Sequence, residues 1–190
     1  YQFGLLTKNH HSIFRELKKN YNPDIIFTSG KITQKIFKEN SNYSNTKIVI
    51  LGSYKRNTRI ISKTNTEILE ENFLVVPEGI ETLKFFKYIT ECAKMYKFYN
   101  FIFKIHPEVE LSLINHLKIR IKNDKLKNIR ISTSDVDILE EIMISKFIIY
   151  RGSVGVFQGC LNELVPIYYN AQEKIDINPL NKFMDNDLIA

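Results

Sequence analysis

Five short strand-like runs, four of them mostly apolar and spaced by stretches of a different period, constrain the fold of this chain more than any other feature. They are Phe73-Leu74-Val75-Val76, Phe101-Ile102-Phe103-Lys104-Ile105, Asn128 to Ser132, Phe147-Ile148-Ile149-Tyr150, and Val165-Pro166-Ile167-Tyr168-Tyr169. Runs this short, closed by turn residues, read as strands. The segments between them carry apolar residues at helical spacing. Strands that alternate with helices in this way require a parallel sheet covered by helices on both sides.

In chain order, residues 1 to 22 read as a short strand and then a helix carrying Ile13, Leu17 and Tyr21, ended by Asn22-Pro23. Asp24 to Thr28 reads as a buried strand, Ser29-Gly30 as a turn, and Lys31 to about Glu39 as a helix. Lys47 to Leu51 reads as the next buried strand, closed by Gly52-Ser53. This makes one βαβ unit with a right-handed crossover. The polar stretch Tyr54 to Asn65 reads as a linker, which divides the chain into residues 1–63 and 64–190.

The second part is more regular. Pro77-Glu78-Gly79 ends its first strand, and Ile80 to about Phe98 reads as a helix with Ile80, Leu83, Ile89, Ala93 and Tyr96 on one side. His106-Pro107-Glu108 ends the second strand and leads into a helix from Val109 to about Asn123. Ser134-Asp135-Val136-Asp137 has the spacing of a capping box for a helix reaching about Ile144. Asp135 and Asp137 form a carboxylate pair that capping explains. The tail from Asn170 to Ala190 is polar, with an apolar patch at Leu180 and Phe183. If these five strands are wound in the order 3-2-1-4-5, the topological switch point lies between the first and the fourth. Ligands bind such sheets at the carboxyl ends of the strands there. The Pro77–Gly79, His106–Glu108 and Arg151–Ser153 turns are then expected to converge.

Composition narrows the class. Hydrophobic residues make up 44% of the 190, enough for a proper core. No apolar run approaches the roughly 18 residues that span a membrane. Residue 1 is Tyr and not Met, so a fragment or processed product is expected. The formal charge of +6 comes with far more Lys than Arg and with abundant Asn and Ile, as in an AT-rich coding sequence. No dense basic block with interleaved aromatics appears, and nucleic acid is not an expected partner. The Lys118–Arg130 stretch reads as the solvated end of a helix and its loop. Cys92 and Cys160 sit in apolar helical patterns and read as buried free thiols. The four histidines and two cysteines show no metal spacing, and the adjacent His10-His11 cannot face one site from a helix.

The stretch from Lys146 to Leu161 carries the most chemistry. A strand turns through Arg151-Gly152-Ser153 into Val154 to Leu161, which fits a short buried helix. Gly152, Gly155 and Gly159 are three of the chain's seven glycines, but they do not form the dinucleotide fingerprint, and no P-loop Lys-Ser follows. In one reading, the unpaired N–H groups of the helix start hold the phosphate of a nucleotide-linked donor. In the other, Ser153 caps the helix and the glycines permit close packing. His106 can donate to a phosphate, and when protonated can stabilise a leaving one; it is equally read as a half-buried histidine satisfied by backbone. Glu78 can accept from a sugar or ribose hydroxyl, and Arg151 can pair with phosphate. Gly79 suits an unusual turn conformation, and Glu78 and Glu108 also read as first-turn acids that favour a helix dipole.

Pro77-Glu78-Gly79, His106-Pro107-Glu108, Tyr150-Arg151-Gly152-Ser153 and the closing Val165-Pro166-Ile167-Tyr168 resemble bacterial capsule and surface-carbohydrate glycosyltransferases of GT-B architecture. The His-Pro pair and the later Ser turn are similar to elements of sialyltransferases, 3-deoxy-manno-octulosonate transferases and teichoic-acid polymerases. The resemblance covers about residues 70 to 170. It implies a Rossmann-like donor domain over 64–190, preceded over 1–63 by the end of an acceptor-side Rossmann-like domain. It implies transfer of a sugar from a nucleotide-activated donor to a glycan or lipid-linked acceptor, in the cytoplasm, with a peripheral contact at the inner membrane. His106 would be catalytic. Together with Arg151, Gly152 and Ser153 it would hold the phosphate, and Glu78, Gly79 and Glu108 would contact sugar or ribose. No cofactor or metal is expected. Val154 departs from relatives with a second Ser or Thr there, and the family's base would lie in the other domain. An epimerase on the same fold, or a non-catalytic nucleotide-binding module, is the alternative.

Overall fold

The computed structural model describes residues 21–41, 43, 45–52, 71–79, 81–170 and 177–181. The chain divides into two compact units, Tyr1–Thr58 and Arg59–Ala190. The expected Ile13–Leu17 helix, the Tyr54–Asn65 linker with the 63/64 boundary, and Phe183 lie outside the described residues.

In the first unit, β1 (Ile25–Thr28), α1 (Lys31–Asn40) and β2 (Lys47–Ile50) form a βαβ element with β1 and β2 parallel, Ile26 beside Ile48. Ile36 and Phe37 of α1 pack on Ile26, Ile32, Tyr43 and Ile48. The strands are not buried on both faces as the sequence suggests. Alternate residues point to opposite faces, and Ile25 and Phe27 remain exposed while α1 covers Ile26 and Ile48.

The second unit holds β3 (Asn72–Val76), α2 (Thr82–Met95), β4 (Asn100–Lys104), α3 (Leu111–Asn123), β5 (Ile129–Ser132), α4 (Ile138–Met143), β6 (Phe147–Tyr150), α5 (Gly155–Leu161) and β7 (Val165–Tyr168). All pairs are parallel and the order is β5-β4-β3-β6-β7, the expected 3-2-1-4-5 winding. Strand period divides the core. Val75, Phe101, Phe103 and Ile149 face one way and pack with Phe85, Phe86 and Ile89 of α2 and Leu117 of α3. Leu74, Val76, Ile102, Ile148 and Tyr150 face the other and pack with Ile142 of α4 and Val156 of α5. Pro166 sits on the edge strand β7, where the lost backbone donor is tolerated.

Several element ends differ from the sequence expectation. α2 begins at Thr82 and not at Ile80, which lies outside the described residues, and it ends at Met95. Its buried stripe is Phe85, Phe86, Ile89 and Ala93, whereas Leu83 and Tyr96 are exposed. Three phenylalanine rings, Phe85, Phe86 and Phe103, cluster edge-to-face and set the helix rotation. Asp137 alone caps α4, accepting the Leu139 N–H at 3.0 Å, so the Ser134 capping box does not form. Cys92 and Cys160 are free but only half-buried.

A polar clamp crosses one face. Arg130 of β5 donates to both carboxylate oxygens of buried Glu141, 2.9 Å for the Nη1–Oε1 bond. Burial acts to raise the Glu141 carboxyl, but hydrogen bonds from Arg130 and Ser132 and the charges of Arg130 and Lys104 outweigh it and hold it below the usual glutamate value. A carboxyl lowered in the folded state contributes stability that is present above its unfolded value and lost as pH falls through the folded one. Glu141→Gln is expected to cost about 2 kcal/mol near neutrality. It should also flatten the acid limb of the stability curve, as read by urea unfolding at a series of pH values.

Candidate functional site

The carboxyl ends of β3, β4 and β6 meet at the switch point, and three turns leave from there. The Pro77–Gly79 turn touches both neighbours. A Cβ added to Gly79 would stand 3.3 Å from His106 Nδ1 and 3.8 Å from Glu108 Oε2. On the other side, a Cβ on Gly152 would fall 1.8 Å from Glu78 Oε1. Only a glycine at 152 therefore lets the Glu78 carboxylate lie against the backbone of the Arg151–Ser153 turn. The turns bearing Glu78, Gly79, His106, Glu108, Arg151, Gly152 and Ser153 form one contiguous patch.

Each turn is held from below. Buried Thr82 donates its hydroxyl to the Glu78 and Gly79 carbonyls at 3.1 and 2.9 Å, which fixes the exit of β3. His106 Nδ1 accepts the Glu108 backbone N–H at 3.3 Å. That bond selects the neutral tautomer with the proton on Nε2, available as a donor. Glu108 Oε2 lies 3.9 Å from Nδ1, where it would pair with a protonated ring. Ser153 Oγ accepts the Gly155 N–H at 3.3 Å and leaves its own proton to donate.

Arg151 is not a surface guanidinium. It is 3% exposed and donates through Nη1 to Glu81 Oε2. Burial raises the pKa of Glu78, the nearby Glu81 charge raises it further, and Arg151 and His106 only partly oppose this. The patch thus combines a committed cation in Arg151, the carboxyls of Glu78 and Glu108, and donors on His106 and Ser153. Its carboxylates suit a hydroxyl-rich ligand.

Glu78 and Glu108 are not first-turn acids. α2 starts at Thr82 after Glu81, and α3 starts at Leu111 after Glu110, so both residues lie in the preceding turns. The helix after Ser153 begins at Gly155 behind Val154 and has seven residues. Sequence reading missed Glu81 and Thr82, whose only signal is their position three and four residues beyond Glu78. It also missed Lys104, which leaves β4 to donate to Ser132 Oγ at 3.3 Å, to the Thr133 carbonyl at 2.6 Å and to the Val136 carbonyl. Burial lowers the Lys104 pKa despite nearby carboxylates, and the side chain acts as a strut for the 133–136 turn. Tyr150 Oη donates to Asn178 Oδ1 at 2.9 Å and ties the 177–181 segment to the end of β6. Among the described residues no group of three or more His, Cys, Asp or Glu could hold a metal ion, and no helix is long and apolar enough to cross a membrane.

No protein-family description matches this chain, and no curated protein matches it. Among solved structures, the crystal structure of the GtfA/B complex is similar, with a TM-score of 0.54 and 9% identity. The alignment covers 77% of this chain and 30% of that one. At that identity the likeness shows the fold: an α/β fold with a parallel sheet and helices on both faces, broadly GT-B-like.

Two outcomes test the geometry directly. Gly152→Ala must displace the Glu78 carboxylate, the far end of a flexible side chain. Its cost should stay below about 1 kcal/mol, while the Glu78 titration, followed by carbon NMR, moves down toward the ordinary value. A carboxyl raised in the folded state contributes stability below its unfolded value that is lost as pH rises through the folded one. Glu78→Gln should therefore raise the melting temperature at pH 8 more than at pH 4.

Proposed function

We propose that the second unit is the donor-binding domain of a GT-B-type glycosyltransferase, which moves a sugar from a nucleotide-activated donor to a surface glycan or lipid-linked acceptor. The observation that carries this reading is the contact of Gly79 with His106 and of Glu78 with Gly152 at the switch point. The broadly GT-B-like fold supports it.

The roles follow from what each group has left to offer. His106 Nε2–H donates to a phosphate oxygen of the donor, and a second proton taken up at Nδ1, beside Glu108, would make the ring a cation that stabilises the departing nucleotide phosphate. The Ser153 hydroxyl donates a second bond, and the Gly152 backbone permits close approach. Arg151 is engaged by Glu81, so its part is to hold the turn and add charge from behind rather than to clamp the phosphate. The Glu78 carboxyl accepts from a ribose or sugar hydroxyl. Glu108, exposed beside Gly79 and His106, reaches the same side of the ligand. The base that activates the acceptor is assigned to no residue of this unit.

A melting-temperature panel with CMP, CDP, UDP, GDP and dTDP tests the reading. One nucleotide at 100 times its dissociation constant should add about 2.7 kcal/mol. His106→Ala and Ser153→Ala should abolish that gain without lowering the unliganded melting temperature much. No response to any nucleotide, or a response that both variants retain, would refute the donor site.

A further inference from the structure

The opposite end of the same sheet carries features that the donor site does not use. At the amino ends of β4 and β5, the turn after α2 runs Met95-Tyr96-Lys97-Phe98-Tyr99, and the α3–β5 loop runs Asp124-Lys125-Leu126-Lys127-Asn128. Asn128 joins them, its Nδ2 donating to the carbonyls of Ala93, Tyr96 and Tyr99 at 3.0 to 3.3 Å. The Lys94–Asp124 ion pair at 3.6 Å is a second tie. Between them lies a cavity of ≈ 570 Å³ lined by Lys94, Lys97, Lys125 and Lys127, with Asp124 as its carboxylate.

Two properties coincide here. Phe98 is 91% exposed and Met95 72%, on a turn whose Tyr99 is anchored edge-on to Phe73. The turn therefore holds its apolar side chains out in water from a fixed base. Around them the charge is one-sided. Lys94 and Arg120 engage Asp124, and Lys94 also takes Glu91. Lys97, Lys125 and Lys127 form no ion pair among the described residues. Among the described residues the neighbouring carboxylates are thus consumed, except that of Glu71, which lies beside the start of β4.

We propose that this end of the second unit docks on an anionic phospholipid surface, with Phe98 and Met95 entering the interface and the three lysines meeting lipid phosphates. Apolar tips ringed by lysines match an interface that is apolar below and negative above. Single-stranded nucleic acid fits less well. It uses successive stacking platforms along a basic groove, whereas Tyr96 and Tyr99 tilt on one another and Phe98 alone stands clear. The proposal is independent of the donor-site reading, and it would place the carboxyl edge of the sheet about 15 Å, one strand length, farther from the lipid.

Flotation with phosphatidylcholine vesicles, with and without phosphatidylglycerol, tests it. The protein should float only with the anionic lipid, and high salt should release it. Replacing Lys97, Lys125 and Lys127 together by Ala should weaken partitioning roughly a hundredfold, about fivefold per lysine. Phe98→Ala should weaken it about tenfold. The chain has no tryptophan, so Phe98→Trp supplies a single indole whose emission should shift to the blue on anionic vesicles. All these positions are exposed, so unchanged melting temperatures check folding. Equal flotation on both vesicle types, flotation that the lysine variant retains, or an unshifted indole would overturn the proposal. Loss of oligonucleotide binding in the lysine variant, with no vesicle binding by the parent, would overturn it in favour of nucleic acid.

Discussion

The central strand β3 is hydrogen-bonded along both edges and packed on both faces, and the rest of the second unit depends on that constraint. A strand so enclosed leaves no room for polar side chains along its length, since an unpaired polar group in such a core costs free energy. Asn72 at one end and Glu78 beyond the other are where polarity returns. Asn72 is itself fully engaged, donating to the Ile144 carbonyl and accepting from Asn100 across the strand pair. Helices cover both faces, so the chain enters and leaves only at the strand ends. Chemistry is therefore confined to two edges of the sheet.

Two carboxyls of the second unit are shifted in opposite directions. Glu141, inside the clamp with Arg130, is held ionised and adds stability as pH rises. Glu78, at the site, is pushed the other way by burial and by Glu81. One carboxylate is placed where charge is satisfied, the other where it is not. Buried groups with raised carboxyl values cluster at sites that bind or react, although structural networks produce the same shift. Here the shift coincides with a backbone approach that no residue larger than glycine permits.

The two edges also differ in how they are built. At the carboxyl edge the turns are braced by Thr82, Lys104 and Arg151, all of which point their donors back into the protein. At the amino edge Asn128 stitches two turns together, while lysines and apolar rings are left outward. The first edge turns its donors inward around a close backbone approach, and the second leaves its side chains outward.

The sequence by itself determined the strands and their alternation with helices, while the 3-2-1-4-5 order and the meeting of the turns were expected only on the common winding and came from the structure. Short apolar runs alternating with helical stretches require a parallel sheet, and the right-handed crossover rule leaves few windings, but β1 and the edge strand β7 keep exposed apolar residues. Only the tertiary structure decided what the turn residues can do. Local spacing made Glu78 and Glu108 look like helix acids and Arg151 like a free cation. Helix starts two residues later, and a partner seventy residues away in Glu81, changed all three. The rotation of α2 was likewise set by packing of Phe85 and Phe86 on Phe103, which put Leu83 outside. Ile25 and Phe27 of β1 and Tyr96 after α2 are exposed apolar residues that run length and periodicity read as core. Period and run length are properties of neighbours in the chain, whereas burial and charge pairing are properties of neighbours in space.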